Sequence, residues 1–283
     1  MYVKDPEKGY LPDYDMNKPG WGQNAEEWWK FTVDRPWLMG GFVWTGFDYR
    51  GEPTPFTWPN VNSHFGIMDV CGFPKNTYYY YQSWWTDKDV IKIYPHWNGH
   101  KTGDKVNVWC NSNADEVELV LNGKSLGKKV MPRNGHLEWD VIYEPGKLEA
   151  IGTKNGKTIR TAVETTTAPY QIVLTPDRKS IAADGNDVSV INVTVLDKQG
   201  REIPDAMNMI QFKLNGNATI LGVGNGDPSS HEADKCLDGN WKRSLFNGKC
   251  QIILESMDKE GDFSLSATGE GLQNAMATIQ MKK

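Results

Sequence analysis

Apolar and polar positions along this chain keep two different rhythms, and the rhythms predict its elements. Between about Asp89 and Thr166 they alternate with a period near two, in "VIKIYPHW", "KVNVWCNS", "EVELVLNG", "KSLGKKVM", "HLEWDVIY" and "KLEAIGTKNGKTIRTAVE". That period turns one face of each segment inward, as in half-buried strands. Asn122-Gly123 and Asn155-Gly156 interrupt the runs and signal two-residue hairpins. Several short strands at this spacing predict an immunoglobulin-like β-sandwich over residues 89–166. The alternation resumes in "SVINVTVLDKQGREIPDA" and "DFSLSATGEGLQNAMATIQMKK", which predicts a second sandwich over 167–283. "TTTAPYQ" reads as the linker between them.

Residues 1–88 keep another rhythm. "NAEEWWKFTVD" predicts a short helix, with Asn24 as its cap and Glu27 three residues on. "RPWLMGGFVW", Arg35 to Trp44, is a nearly continuous apolar run, the pattern of a strand buried on both faces. A polar, proline-rich loop follows. "NTYYYYQSWW" then predicts a helix from Asn76 or Thr77, although its tyrosines also suit a strand. Helix, buried strand, loop and helix make an α/β unit that cannot close a core alone. A (β/α)8 barrel takes about 250 residues.

Composition narrows the classes. The chain has 283 residues, 39% of them hydrophobic, with net charge −5, and is long enough for two or three domains. The scattered Lys and Arg give no nucleic-acid footprint, and no apolar run approaches the roughly 20 residues a membrane span needs. The N-terminus lacks the pattern of a signal peptide. Four cysteines without CxxC spacing and five histidines without ligand spacing predict neither a metal site nor a cofactor. Isolated thiols are the default, but Cys236 and Cys250 fall in one hairpin region and could pair in an oxidising compartment. "ILGVGNGD" lacks the following helix of a dinucleotide site, so it reads as a structural loop.

Candidate chemistry gathers after the apolar run. Trp44 offers a flat face on which the C–H side of a sugar can pack; a core tryptophan is the other reading. Asp48 and Glu52 sit where a barrel presents its active-site loops. On spacing they could form the carboxylate pair of a glycosidase, or bind hydroxyls, or close the loop with Arg50.

The stretch from Arg35 to Trp85, with "GGFVWTGFDYRGEP" and "FGI-D-CGFPK", resembles the end of the catalytic barrel of glycoside hydrolase family 2, in its β-galactosidase-like branch. "PHWN" and "VELVLNGKSLGKK" resemble the β-sandwich that follows that barrel, and "GVGNGDPSSHE" resembles a motif in the next Ig-like domain. The fold implied is multidomain: the C-terminal end of a (β/α)8 TIM barrel over 1–88, then two immunoglobulin-like β-sandwich domains over 89–166 and 167–283. The activity implied is retaining hydrolysis of terminal β-galactosides by two glutamates on earlier barrel strands. No Asn-Glu motif precedes Gly40, so the expectation is a chain with no catalytic residue of its own, inactive alone. Trp44 then matches a tryptophan lining the sugar subsite. Asp48 is a weaker substrate-binding candidate, and Arg50 and Glu52 weaker still. Expected partners are a β-galactoside or related oligosaccharide, the remainder of the barrel upstream and possible copies of the same chain in a homo-oligomer, without nucleic acid or membrane. The family expectation for location is periplasmic or secreted. The competing reading is a carbohydrate-binding or cell-surface protein with tandem Ig-like domains.

Overall fold

The computed structural model describes residues 5, 7–16 and 18–283. The chain divides into two compact units, Met1–Thr165 and Thr166–Lys283.

In the first unit β1 (Ile91–Tyr94), β2 (Lys105–Ser112) and β5 (Leu137–Ile142) form one sheet in the order β1-β2-β5. β3 (Glu116–Leu121), β4 (Lys124–Val130), β6 (Lys147–Lys154) and β7 (Lys157–Glu164) form the other, in the order β4-β3-β6-β7. Three strands against four is the layering of a constant-type immunoglobulin domain. Alternation decides what each strand buries: Leu137, Trp139 and Val141 point inward from β5, while Glu138, Asp140 and Ile142 point out. Val117, Leu119 and Leu148 complete the same core, and each such side chain contributes about 1.5–3 kcal/mol by leaving water. Both Asn-Gly pairs form two-residue hairpins, with Leu121 opposite Lys124 and Lys154 opposite Lys157. Asn122 and Gly123 take φ of 49° and 83°, the left-handed pair a type I′ turn requires. Trp97, from "PHWN", is wholly enclosed and donates its indole N–H to the Glu144 carbonyl at 3.0 Å.

The second unit is also a two-sheet sandwich. β8 (Gln171–Pro176), β10 (Val188–Leu196), β12 (Ala218–Gly224) and β14 (Lys249–Ser256) form the sheet β12-β14-β10-β8. β9 (Ser180–Ala182), β11 (Met209–Asn215), β13 (Lys242–Ser244), β15 (Gly261–Thr268) and β16 (Ala275–Lys282) form β13-β11-β15-β16-β9. Ile191, Val193, Ile252, Leu254 and Leu265 meet between them. The glycine-rich stretch ends β12 and runs into a loop, with no helix after it. Cys236 and Cys250 form no disulfide, and neither do Cys71 and Cys110. Cys250 is buried in the core on β14, whereas the Cys236 thiol turns toward the Ala233 carbonyl in the loop before β13.

Residues before β1 supply two helices, α1 (Ala25–Thr32) and α2 (Asn76–Trp85). The Asn24 side chain accepts from Glu27 N at 2.9 Å, as the capping pattern predicts, but the Glu27 carboxylate turns to Lys18 instead of completing the box. The run Arg35–Trp44 departs from expectation. It forms no strand, and Met39 and Phe42 are fully exposed. A strand exists only where a neighbour takes up its backbone groups. The run's own backbone bonds are local turns, Arg35 N to Thr32 O and Leu38 N to Arg35 O, and cross-segment pairing starts one residue past the run, at Thr45 N to Phe65 O. Among the described residues, then, no strand of a (β/α)8 barrel is present in this segment. No described helix is long and apolar enough to cross a membrane.

Candidate functional site

After Trp44 the chain enters an irregular ladder with residues 61–68. Thr45 N donates to Phe65 O at 3.0 Å, Asp48 N to Met68 O at 2.9 Å and Ser63 N to Tyr49 O at 2.8 Å. The two segments come so close at Gly66 that a Cβ there would lie 2.1 Å from Asp48 N and 2.3 Å from Met68 O. Only glycine fits such a backbone approach. Asp69 then closes a turn, its carboxylate accepting from Cys71 N at 2.8 Å and Phe73 N at 3.0 Å. The turn delivers Lys75, whose ammonium meets Asp48 Oδ2 at 2.6 Å. Gly66, Asp69 and Lys75 of "FGI-D-CGFPK" therefore each have a local physical task.

One ammonium organises the interior. Asp48 is buried, with its side chain 7% exposed, and its other oxygen accepts from Gly66 N at 2.8 Å. Burial pushes the Asp48 carboxyl up to about 6 against the pull of the Lys75 charge. His64 is buried with its Nε2 3.3 Å from Asn60 Nδ2 and its ring edge-on to Phe56. Burial, reinforced by the Lys75 charge, pushes it down to about 4, so it is neutral at pH 7. Asp15 accepts from Thr77 N at 3.2 Å and caps α2 from 62 residues away, a task no side chain at Lys75 performs. Burial raises its carboxyl too, with Lys75 opposing.

Beside this network lies a cavity of about 490 Å³. Trp21, Trp28, Trp44, Phe65 and Tyr81 give it apolar walls, and Asp15 and His64 are among its polar groups. Trp44 is 63% exposed. Its indole N–H donates to Tyr49 Oη at 3.1 Å, with the two rings edge to face. The Trp44–Thr45 peptide is cis.

The structure thus brings Trp44 to the cavity and sends the other predicted residues elsewhere. Asp48 lies inside, tied to Lys75. Arg50 is exposed and bridges to Asn62. Glu52 is exposed and accepts from the Tyr49 hydroxyl. Asp48 and Glu52 have different partners and form no carboxylate pair with each other. Sequence reasoning missed His64, Lys75, Asp15 and Tyr49 as members of the site. The glycine, aspartate and lysine of "FGI-D-CGFPK" were the available signal for Lys75; nothing in the sequence marks Asp15, whose partner is so distant. Among the described residues, no three His, Cys, Asp or Glu side chains gather as a metal site.

Comparison with known proteins supplies what this geometry alone does not. Residues 172–278 match "Glycoside hydrolase family 2 C-terminal domain 5", and residues 103–160 match a domain of unknown function, DUF4982. The chain is 45% identical to the β-galactosidase BoGH2A of Bacteroides ovatus, covering 93% of this chain and 31% of that protein. It is 36% identical to a putative β-glucuronidase of Formosa agariphila, covering 83% of this chain and 23% of that one. A crystal structure of a β-glycosidase from Bacteroides vulgatus superposes with a TM-score of 0.84 at 35% identity, over 91% of this chain and 33% of that chain. The chain spans about a third or less of the length of these relatives.

Proposed function

We propose that this chain, which belongs with the C-terminal region of glycoside hydrolase family 2 enzymes, forms one wall of the sugar pocket in a retaining hydrolase of terminal β-galactosides. The exposed Trp44 ring at the aromatic-lined cavity carries this reading. A pyranose packs its C–H face on such a ring while polar neighbours take its hydroxyls. The two carboxyl groups of a retaining enzyme stand about 5–5.5 Å apart. In this reading both are glutamates on other strands of a (β/α)8 barrel, of which residues 1–88 are the closing part.

Two observations support it. Trp37, Met39 and Phe42 are exposed together on one short stretch, and clustered apolar exposure marks a surface that another element covers. Further barrel polypeptide covers it here and pairs residues 39–44 as the last strand. Second, the chain is more alike in sequence to a β-galactosidase, at 45% identity, than to a putative β-glucuronidase, at 36%, which favours the galactoside over the glucuronide.

The test is hydrolysis of 4-nitrophenyl β-galactoside and β-glucuronide, by the enzyme containing this chain and by the 283-residue chain alone. Turnover of the galactoside by the larger enzyme only is the expected result. Preference for the glucuronide overturns the sugar assignment. Enzyme-like turnover by the chain alone overturns its role as a wall. Galactose binding by the chain with no larger polypeptide in the cell favours a tandem-sandwich binding protein.

A further inference from the structure

We propose that Tyr49 and Glu52 are positioning residues that fix the Trp44 ring for sugar stacking, an inference that rests on the reading of Trp44 given above. Hydrogen-bond chemistry sets the direction of the relay without ambiguity. An indole N–H only donates, an ionised carboxylate only accepts, and a phenol does both. Trp44 Nε1 lies 3.1 Å from Tyr49 Oη, and that hydroxyl donates to Glu52 Oε2. The phenol oxygen therefore receives the indole proton's bond and passes its own proton toward the carboxylate. Burial, with the Glu52 hydrogen bond second, raises the Tyr49 phenol, so the proton it donates is present across the working range.

Ring contacts hold the same arrangement from the side. Tyr49 meets the Trp44 ring edge to face at 6.4 Å and lies against Phe65 at 6.5 Å, and Phe65 meets Trp21 at 5.9 Å. Trp44 and Trp21 are the two exposed ends of this aromatic row, and both line the cavity. Without the relay an exposed indole on a loop has several rotamers. With it, one polar anchor selects the face offered to the ligand, and positioning of this kind is worth far more than the bond itself. Gly51, at φ 107°, turns the chain so that Glu52 comes back to Tyr49. Glu52 acts through Tyr49 and does not touch the sugar.

The decisive comparison uses Tyr49→Phe, Glu52→Gln, their double variant and Trp44→Ala in the enzyme containing this chain, assayed on 4-nitrophenyl β-galactoside. Tyr49→Phe is expected to raise KM about tenfold with kcat nearly unchanged, and Glu52→Gln about threefold. The double variant is expected to match Tyr49→Phe alone, because the carboxylate has no other route to the ring. A second readout uses ¹H–¹⁵N spectra of the 283-residue chain. The indole resonance that disappears in Trp44→Phe should shift upfield in Tyr49→Phe and by less in Glu52→Gln. An additive kinetic loss in the double variant, which a direct sugar contact by Glu52 would give, overturns the relay. So does an indole resonance that stays in place in both variants. Full activity of Trp44→Ala, with the indole shifts seen as expected, leaves the relay standing and overturns the sugar wall.

Discussion

Residues 1–88 and the sandwich that follows them use the same residue types in opposite ways. In the sandwich Trp97 and Trp139 are core residues, and charged side chains such as Glu138 and Lys128 stand outside. In the segment Trp21, Trp37, Trp44 and Trp58 are exposed, while Asp48, Asn60, Asn62, Ser63 and His64 are buried. A sandwich is stabilised by apolar area leaving water, so its tryptophans are worth most inside. The segment is organised by an ammonium and its hydrogen-bonded partners, and these four tryptophan rings stand largely in solvent. Fully buried polar groups are uncommon unless paired, and here the pairing is what places the loop that bears Trp44.

The largest expected effect sets the two kinds of tryptophan against each other. Trp139→Ala should destabilise the first unit by about 3–5 kcal/mol, since it opens a cavity in a packed core. Trp44→Ala should cost less than about 1 kcal/mol, because its ring is already in solvent. Urea unfolding followed by far-UV circular dichroism measures both. Equal losses would mean that Trp44 is a core residue after all, and the contrast between the regions would collapse.

A somewhat smaller effect probes the place where the second sandwich behaves like the segment. Arg243 on β13 is 2% exposed, yet charged. Its guanidinium donates to Glu232 O at 3.0 Å, Asp234 Oδ1 at 3.1 Å and Asn225 Oδ1 at 3.1 Å. Glu232 in turn accepts from Ser244 N at 2.9 Å. The loop after β12, through Asn225, Glu232 and Asp234, is thus wrapped around an arginine. Arg243→Ala should cost about 3 kcal/mol, the low end for breaking a buried ion pair, because both carboxylates are partly exposed. The unfolding transition of the second unit should move while that of the first stays; an unmoved second transition would show that the clamp adds nothing to stability.

These elements also mark how far the sequence was legible. Period-two alternation and Asn-Gly pairs are local signals, and both sandwiches and both hairpins follow from them. α1 was legible through Asn24 and Glu27, and α2 through its start at Asn76. The run Arg35–Trp44 misled because an apolar pattern reports what a segment would bury, not whether a neighbouring strand is there to pair with it. The site was least legible. Asp48 finds Lys75 across 27 positions and Asp15 finds Thr77 across 62, and no periodicity links such residues. Tyr49 and Glu52 follow Trp44 at loop spacing, where only the turn at Gly51 reveals that they meet. Trp44 was visible because a large aromatic ring at the end of an apolar run is conspicuous in any sequence.

The smallest net effect hides two large ones, and separating them tests whether the segment's polar interior is one network. Asp48 titrates at about 6 in the folded chain, against about 3.9 when unfolded. Between those values the folded state holds a proton that the unfolded state has released, so stability falls as pH rises from about 4 to 6. His64 titrates at about 4 when folded, against about 6.5 when unfolded. Over that window the unfolded state holds the extra proton, so stability rises with pH and is lost on acidification. Each displacement is worth about 3 kcal/mol, and the signs oppose, so the two largely offset each other between pH 4.5 and 6.5, with the raised Asp15 carboxyl adding to the Asp48 side. Single variants unmask them when unfolding midpoints at the two pH values are compared with those of the unaltered chain. Asp48→Asn removes the Asp48 term and should lose stability on acidification relative to the unaltered chain. His64→Phe removes the histidine term, leaving the raised Asp48 and Asp15 carboxyls, and should gain it. Slopes that change in the same direction in both variants would show that Asp48 and His64 do not share an interior, and that the Lys75 ammonium does not organise this segment.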